Sequence, residues 1–412
     1  MIRAIFDQPT EFEESIFYDV SGWTMPLAYD LDYAAMGRSY NADLLGEPAS
    51  ALPPVPAPDR ASYGYVFRWT DYHSPAALYD VLDSDLLVRI ATRPVEIETS
   101  RGAVAFSQGA VFVPLRRQEM DAEEIHARMV EIAEDTGVRI HAVSSGLTPT
   151  TGADLGGSRS FRPVQEPHAL LLFDGGISRN DVGEVWHALD QRMGVRVTLR
   201  RKSQLGGLDW SRYTHLVLVG GNGALSESQT ERVQQWIREE GGTPIAMRQS
   251  ARWAQRTLLD MELPSDESEN GETERLDYSD MSLRDAEHVI GGALFQTDLD
   301  TSHPLGWGLS DRELAVHRNT TFTLARPEGD PYVVVAEYED EPLLAGYASQ
   351  RRQDEIAGTP AILAQRQGRG AIILFADNPN FRATYLGTER VFLNAIFLSG
   401  LINRTSGDYV EE

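Results

Sequence analysis

Short apolar runs and longer amphipathic stretches alternate between residues 168 and 247. HALLLFDGG (168–176), VRVTLRR (195–201), THLVLVGGNG (214–223) and TPIAM (243–247) read as strands. DVGEVWHALDQRMG (181–194) and SESQTERVQQWIREEGG (226–242) carry apolar positions at helical spacing and stop at glycine. A β-α-β alternation of this kind predicts an α/β fold with a mostly parallel sheet covered by helices. Further on, YVVVAEY, PLLAGYA and PAILAQRQGRGAIILFA are β-type, and TERVFLNAIFLSGLI is an apolar-faced helix.

A second, smaller α/β pattern precedes this one. YGYVFRW (63–69), LLVRIATRPVEIE (86–98), AVAFSQGAVFVPL (103–115) and VRIHAVSSGL (138–147) are strand-like. SPAALYDVLDS (74–84) opens with a Ser cap before Pro, and DAEEIHARMVEIAEDTG (121–137) ends at Gly; both predict helices. The expected organisation is a helical then irregular aromatic segment and a Pro-rich linker over 1–62, and a small α/β domain over 63–147. A Gly-rich linker over 148–167, a larger α/β domain over 168–403 and a disordered tail over 404–412 follow. ELPSDESENGETER (262–275) reads as an acidic surface excursion.

The 412 residues fit two or three domains. A formal charge of −25 argues against nucleic acid and against an anionic membrane surface as partner. Lys202 is the single lysine, and there is no cysteine, which removes disulfides, thiolate metal sites and cysteine nucleophiles. No apolar run approaches the roughly 20 residues of a membrane helix. The N-terminal stretch lacks a basic segment followed by an apolar core, so no signal peptide is read there.

Candidate chemistry is sparse. The nine histidines show neither HExxH nor HxxE spacing, so local zinc motifs are absent and no metal ligand is selected; a site built from distant residues stays open. Gly220-Gly221-Asn222-Gly223 joins a strand to a helix, where backbone N–H groups favour anions, but its spacing matches neither common nucleotide fingerprint. The plainer reading is a tight turn. Ser250, in the turn after TPIAM, is a nucleophile type at a strand-to-helix junction. With His303 or His288 as base and Asp277 or Asp377 as orienter it would make a serine hydrolase; a helix-capping role is the plainer reading. Trp186, Trp210, Trp253 and Trp307 could stack on a sugar, or could simply be core.

Residues 168–400 resemble the class I glutamine amidotransferase-like fold, on LVLVGGNG, REEGG, TPIAM and ILFADNPNFRATYLGTERVFLNAIF. In catalytic members of that fold the turn after the TPIAM-type strand holds Cys and the last turn holds His-Pro-Glu. Here Gln249 or Ser250 stands at the first position, and Asn378-Pro379-Asn380 at the second. An amide cannot serve as a base near neutral pH, so the resemblance implies a corner whose triad is vestigial (Ser250, Asn378, Asn380) and no catalytic residue. Gly221, Asn222, Gly223, Asp377 and Arg382 are the residues placed to touch a ligand there.

A wider resemblance runs through FYDVSGWTMPLAYDLDYAAM, GEVWHALDQRMG, DWSRYTHLVLV, LDTSHPLGWG and LFADNPNFRATYLGTERVFLNAIF. These segments look like the C-terminal half of a group of large bacterial zinc carboxypeptidases. It implies a non-catalytic region that packs on, or presents substrate to, a zinc metallopeptidase domain in cis or in trans. The zinc would sit in that domain. A homo-oligomer and a sugar- or small-ligand-binding role are further expectations, and exported relatives imply a periplasmic or secreted site. Whether the chain is a piece of a larger protein or a complete product stays open.

Overall fold

The strand-like segments of the smaller unit pair as a seven-stranded sheet of order β4-β3-β6-β1-β5-β2-β7. The strands are β1 (Gly64–Phe67), β2 (Arg89–Ala91), β3 (Val95–Thr99), β4 (Gly102–Phe106), β5 (Val111–Pro114), β6 (Ile140–Val143) and β7 (Phe161–Pro163). Every pairing in it is antiparallel. Helices α1 (Ser74–Asp83) and α2 (Ala122–Thr136) belong to the same unit and contact each other. Asp121 and Glu124 form a reciprocal cap at the start of α2, and Gly137 ends it in the left-handed region. At α1 the cap position is His73 rather than Ser74, whose hydroxyl donates to the Arg68 carbonyl at 2.6 Å.

The computed structural model describes residues 24–31, 33, 46, 54–156, 159–263 and 288–402. The helix expected near the N-terminus, most of the acidic excursion, Asp277 and the 404–412 tail lie outside the described residues. The chain divides into two units, one of residues 30–163 and one of 1–29 with 164–412. Within the stretch 148–167, expected as a linker, Ala153, Leu155 and Phe161 belong to the core of the smaller unit. Burial of these three apolar side chains ties that part of the chain to the unit's core.

The larger unit is built on a nine-stranded sheet of order β13-β12-β14-β15-β16-β11-β10-β8-β9. Strands β8 (Ala169–Leu172), β9 (Val197–Arg200), β10 (His215–Leu218), β11 (Thr243–Met247) and β16 (Gly370–Phe375) run parallel. Strands β12 (Ala293–Leu299), β13 (Glu313–Arg318), β14 (Val334–Gly346) and β15 (Pro360–Gln367) complete it antiparallel. The sheet is therefore mixed, about half parallel and half antiparallel, which corrects the mostly parallel expectation. The physical reason lies in the connections: β15 and β16 are joined by a two-residue hairpin turn, and no crossover helix separates β12, β13 and β14. YVVVAEY and PLLAGYA are one long strand with register shifts, not two.

Helices α3 (Arg179–Trp186), α4 (Glu227–Gln235) and α5 (Gln249–Thr257) follow β8, β10 and β11; α6 (Gln350–Ile356) and α7 (Leu386–Leu398) come later. Both α3 and α4 continue into a π-helical segment, at His187–Arg192 and Trp236–Glu240. Helix α7 is buried from Gly387 to Leu398. Its Glu389 is satisfied by Arg192 at 2.7 Å, and its Asn394 amide donates to the carbonyls of Leu305 and Trp307. This is how a helix that carries polar residues is tolerated inside a core. Among the described residues no helix is long and apolar enough to cross a membrane.

Candidate functional site

In the parallel half, β8 lies between β9 and β10, so consecutive crossovers leave β8 on opposite sides. The loops at the carboxyl ends of β8 and β10 therefore part at a topological switch point, where open α/β sheets leave a crevice. A polar pocket of about 820 Å³ is found there, lined from α3 and its cap by Ser178, Asp181, Glu184 and His187. Arg248 enters from the turn after β11, and Phe381, Arg382 and Ala383 from the turn after β16.

Arg248 holds the sharp strand-to-helix turn. Its backbone sits at φ 56°, ψ −131°, a conformation costly for any residue with a Cβ. Such an elbow aims the side chain outward over the sheet edge. Its guanidinium reaches Asp181 Oδ2 at 3.3 Å. Asp181, itself buried, also accepts from the Gly220 N–H at 3.2 Å and from the Ser178 hydroxyl at 2.8 Å. One carboxylate thus ties α3, the glycine loop and the elbow together.

The turn after β16 is fastened by Glu184. Its Oε2 accepts from Asn378 Nδ2 at 2.5 Å and its Oε1 from the Arg382 N–H at 2.8 Å. Burial pushes the Glu184 carboxyl above the usual glutamate range, against the opposing pull of these donors. Arg382 and Ala383 both have positive φ, 50° and 54°. Asn380 is fully buried behind this turn, and its N–H donates to Asn378 Oδ1 at 3.0 Å.

Several sequence expectations are revised by these contacts. The elbow residue is Arg248, one position before Gln249 and two before Ser250. The Ser250 hydroxyl is fully buried and donates to the Val219 carbonyl, while His303 Nδ1 caps the 304–306 turn by accepting from the Leu305 N–H. Ser250 and His303 are therefore each committed elsewhere. Asp377 is buried against Arg318 at 3.2 Å and accepts from the Tyr338 hydroxyl, so its carboxylate is engaged in the core. Burial would lower the Arg318 pKa, but Asp377 and Tyr338 outweigh it and raise it.

The amides of the glycine loop are also spoken for. Gly220 N–H goes to Asp181, Gly221 N–H to Gln249 Oε1, Asn222 N–H to the Gly176 carbonyl and Gly223 N–H to the Gly221 carbonyl. Lys202, the single lysine, donates to the Asn222 carbonyl at 2.6 Å. A Cβ at Gly221 would come within 2.4 Å of the Gly176 carbonyl oxygen, at a φ of +89°. Gly221, Asn222 and Gly223 thus clasp the neighbouring loop. Of the five ligand candidates, Arg382 alone lines the pocket.

The tryptophans do not gather here either. Trp210 and Trp307 are buried, Trp210 packs on Trp236 with centroids 5.2 Å apart, and Trp186 is exposed. Phe381 has the His317 ring stacked 3.7 Å away and the Arg382 guanidinium 5.3 Å from its centroid. Among the described residues no group of three or more His, Cys, Asp or Glu could hold a metal ion.

Asp181, Glu184 and Arg248 went unselected in the sequence. The available signal was DVGE, which sets two carboxylates three residues apart on one helical face just after a strand. Arg248 carried no signal of its own, because φ at a single arginine is a property of the fold.

No family model matches the sequence, and no curated protein matches it. Among solved structures, a candidate GMP synthase component from Thermoplasma acidophilum is similar at 14% identity and TM-score 0.34, over 56% of this chain and 92% of that one. A cold-adapted β-galactosidase from Rahnella sp. R3 is similar at 15% identity and TM-score 0.28, over 67% of this chain and 35% of that one. An exo-β-1,4-mannosidase from Opitutaceae bacterium strain TAV5 follows at 12% identity and TM-score 0.30, over 57% and 36%. The chain spans about a third of the length of the two glycosidases. Likeness at this level says nothing about activity.

Proposed function

We propose that this chain is a non-catalytic module of amidotransferase-like descent that serves a zinc carboxypeptidase domain, packing on it or presenting substrate to it. The observation that carries the first half of this reading is Arg248 in the elbow. The strained turn is kept, but its side chain is a guanidinium, which stays protonated and is no nucleophile. The partner carboxamides Asn378 and Asn380 supply no base. The second half rests on the ordered sequence resemblance alone, and carries with it the expectation of a periplasmic or secreted site.

The test is co-expression with an HxxE-bearing peptidase domain encoded within or beside the same gene. Co-elution of the two, with faster hydrolysis or a higher melting temperature of the peptidase, is the expected result. Absence of any such domain, or its full activity without association, overturns the reading. A second reading, a small-ligand-binding module, is favoured by the charged pocket at the switch point.

A further inference from the structure

We infer that the pocket bounded by Arg179, Arg248 and Arg382 binds a small oxyanion, a carboxylate or phosphate group of a soluble metabolite. This deepens the small-ligand reading and does not depend on the carboxypeptidase one. Charge is the first argument. The chain as a whole carries −25, yet three guanidiniums line this pocket against two carboxylates. Cations gathered in a cleft attract anions more strongly than the same charges spread over a surface.

Hydrogen-bond capacity is the second argument. Both carboxylates are already supplied with donors. Asp181 takes them from Ser178, Gly220 and Arg248, and Glu184 from Asn378 and Arg382. Arg248 is not fully matched in return. A guanidinium offers five N–H groups. Arg248 makes one such bond to Asp181, and its Nε is buried without a partner among the described residues. His187 Nδ1, also in the pocket wall, is buried without one. Arg179 is exposed at the mouth, in the first turn of α3. Guanidiniums around an open volume are the complement of a planar or tetrahedral oxyanion, which the guanidinium fork grips at two points.

Strain is the third. The elbow that presents Arg248 is a conformation that any Cβ-bearing residue adopts at a cost, and Asp181 holds it there. Preorganised donors of this kind lower the ordering cost of binding.

The experiment is calorimetric titration of the full chain with sodium phosphate and, separately, with sodium glutarate, each against sodium chloride of equal ionic strength. The expected result is saturable one-to-one binding of one of the two, which tells phosphate from carboxylate as the preferred source. Arg179→Gln, an exposed change that spares the fold, should weaken it severalfold, and Arg248→Gln about tenfold or more. Arg351→Gln, on α6, should leave it unchanged. No saturable heat with either anion overturns the proposal. So does binding that survives both pocket changes, or that falls equally in Arg351→Gln, since it would then report total charge.

Discussion

The guanidinium of Arg248 and the carboxylate of Asp181 meet at 3.3 Å, both largely out of solvent, and their contact joins the elbow after β11 to the first turn of α3. Removing the carboxylate strands a cation and unties three donors at once. Asp181→Ala is expected to cost about 3 kcal/mol, read as a lower urea midpoint. Asp181→Asn, which keeps an acceptor oxygen, should cost less.

The Arg318–Asp377 pair lies wholly in the core of the larger unit, with Tyr338 bridging the two. Asp377→Asn or Arg318→Met alone leaves one buried charge unpaired and should destabilise by about 3–5 kcal/mol. Replacing both with apolar residues should cost much less than the sum. A double-mutant cycle in denaturant measures the difference, and additive costs would contradict the pairing.

The glycine clasp predicts a graded response. Gly221→Ala meets a backbone oxygen and a forbidden φ together, and should lose about 2 kcal/mol or more. Ser250→Ala forfeits the hydrogen bond to Val219 and should lose about 1 kcal/mol. It should leave any hydrolysis in the preparation untouched; a drop in turnover would restore Ser250 as a nucleophile.

His215 gives a pH signature. Burial lowers its pKa from 6.5 to about 4, and the neutral ring is held between Thr214 and Ser399. Above pH 6.5 the ring is neutral in both folded and unfolded chains, and its contribution is complete. As the pH falls from 6.5 toward 4, the unfolded chain takes up the proton and the folded one does not. Stability is then lost, on the order of 3 kcal/mol at the lower end. His215→Gln should flatten this part of the stability profile. An unchanged slope would place the acid sensitivity at other groups.

What could be read from residues alone followed from periodicity, capping and turn chemistry, all local. Apolar runs located β1, β8, β10, β11 and β16, and the stops at Gly137 and Gly241 bounded their helices. Asn378 and Asn380, the two amides on either side of Pro379, were visible as letters. Pairing partners were not. Strands β12 and β13, set among polar turns, gave too weak a pattern, and their antiparallel addition made the sheet mixed. The site itself was decided only in three dimensions. Asp181 and Arg248 are 67 positions apart and Glu184 and Asn378 are 194 apart, and long-range electrostatics leaves no mark on local sequence. Only the folded turn fixes which residue occupies the strained elbow, because φ is set by the strand behind it and the helix ahead.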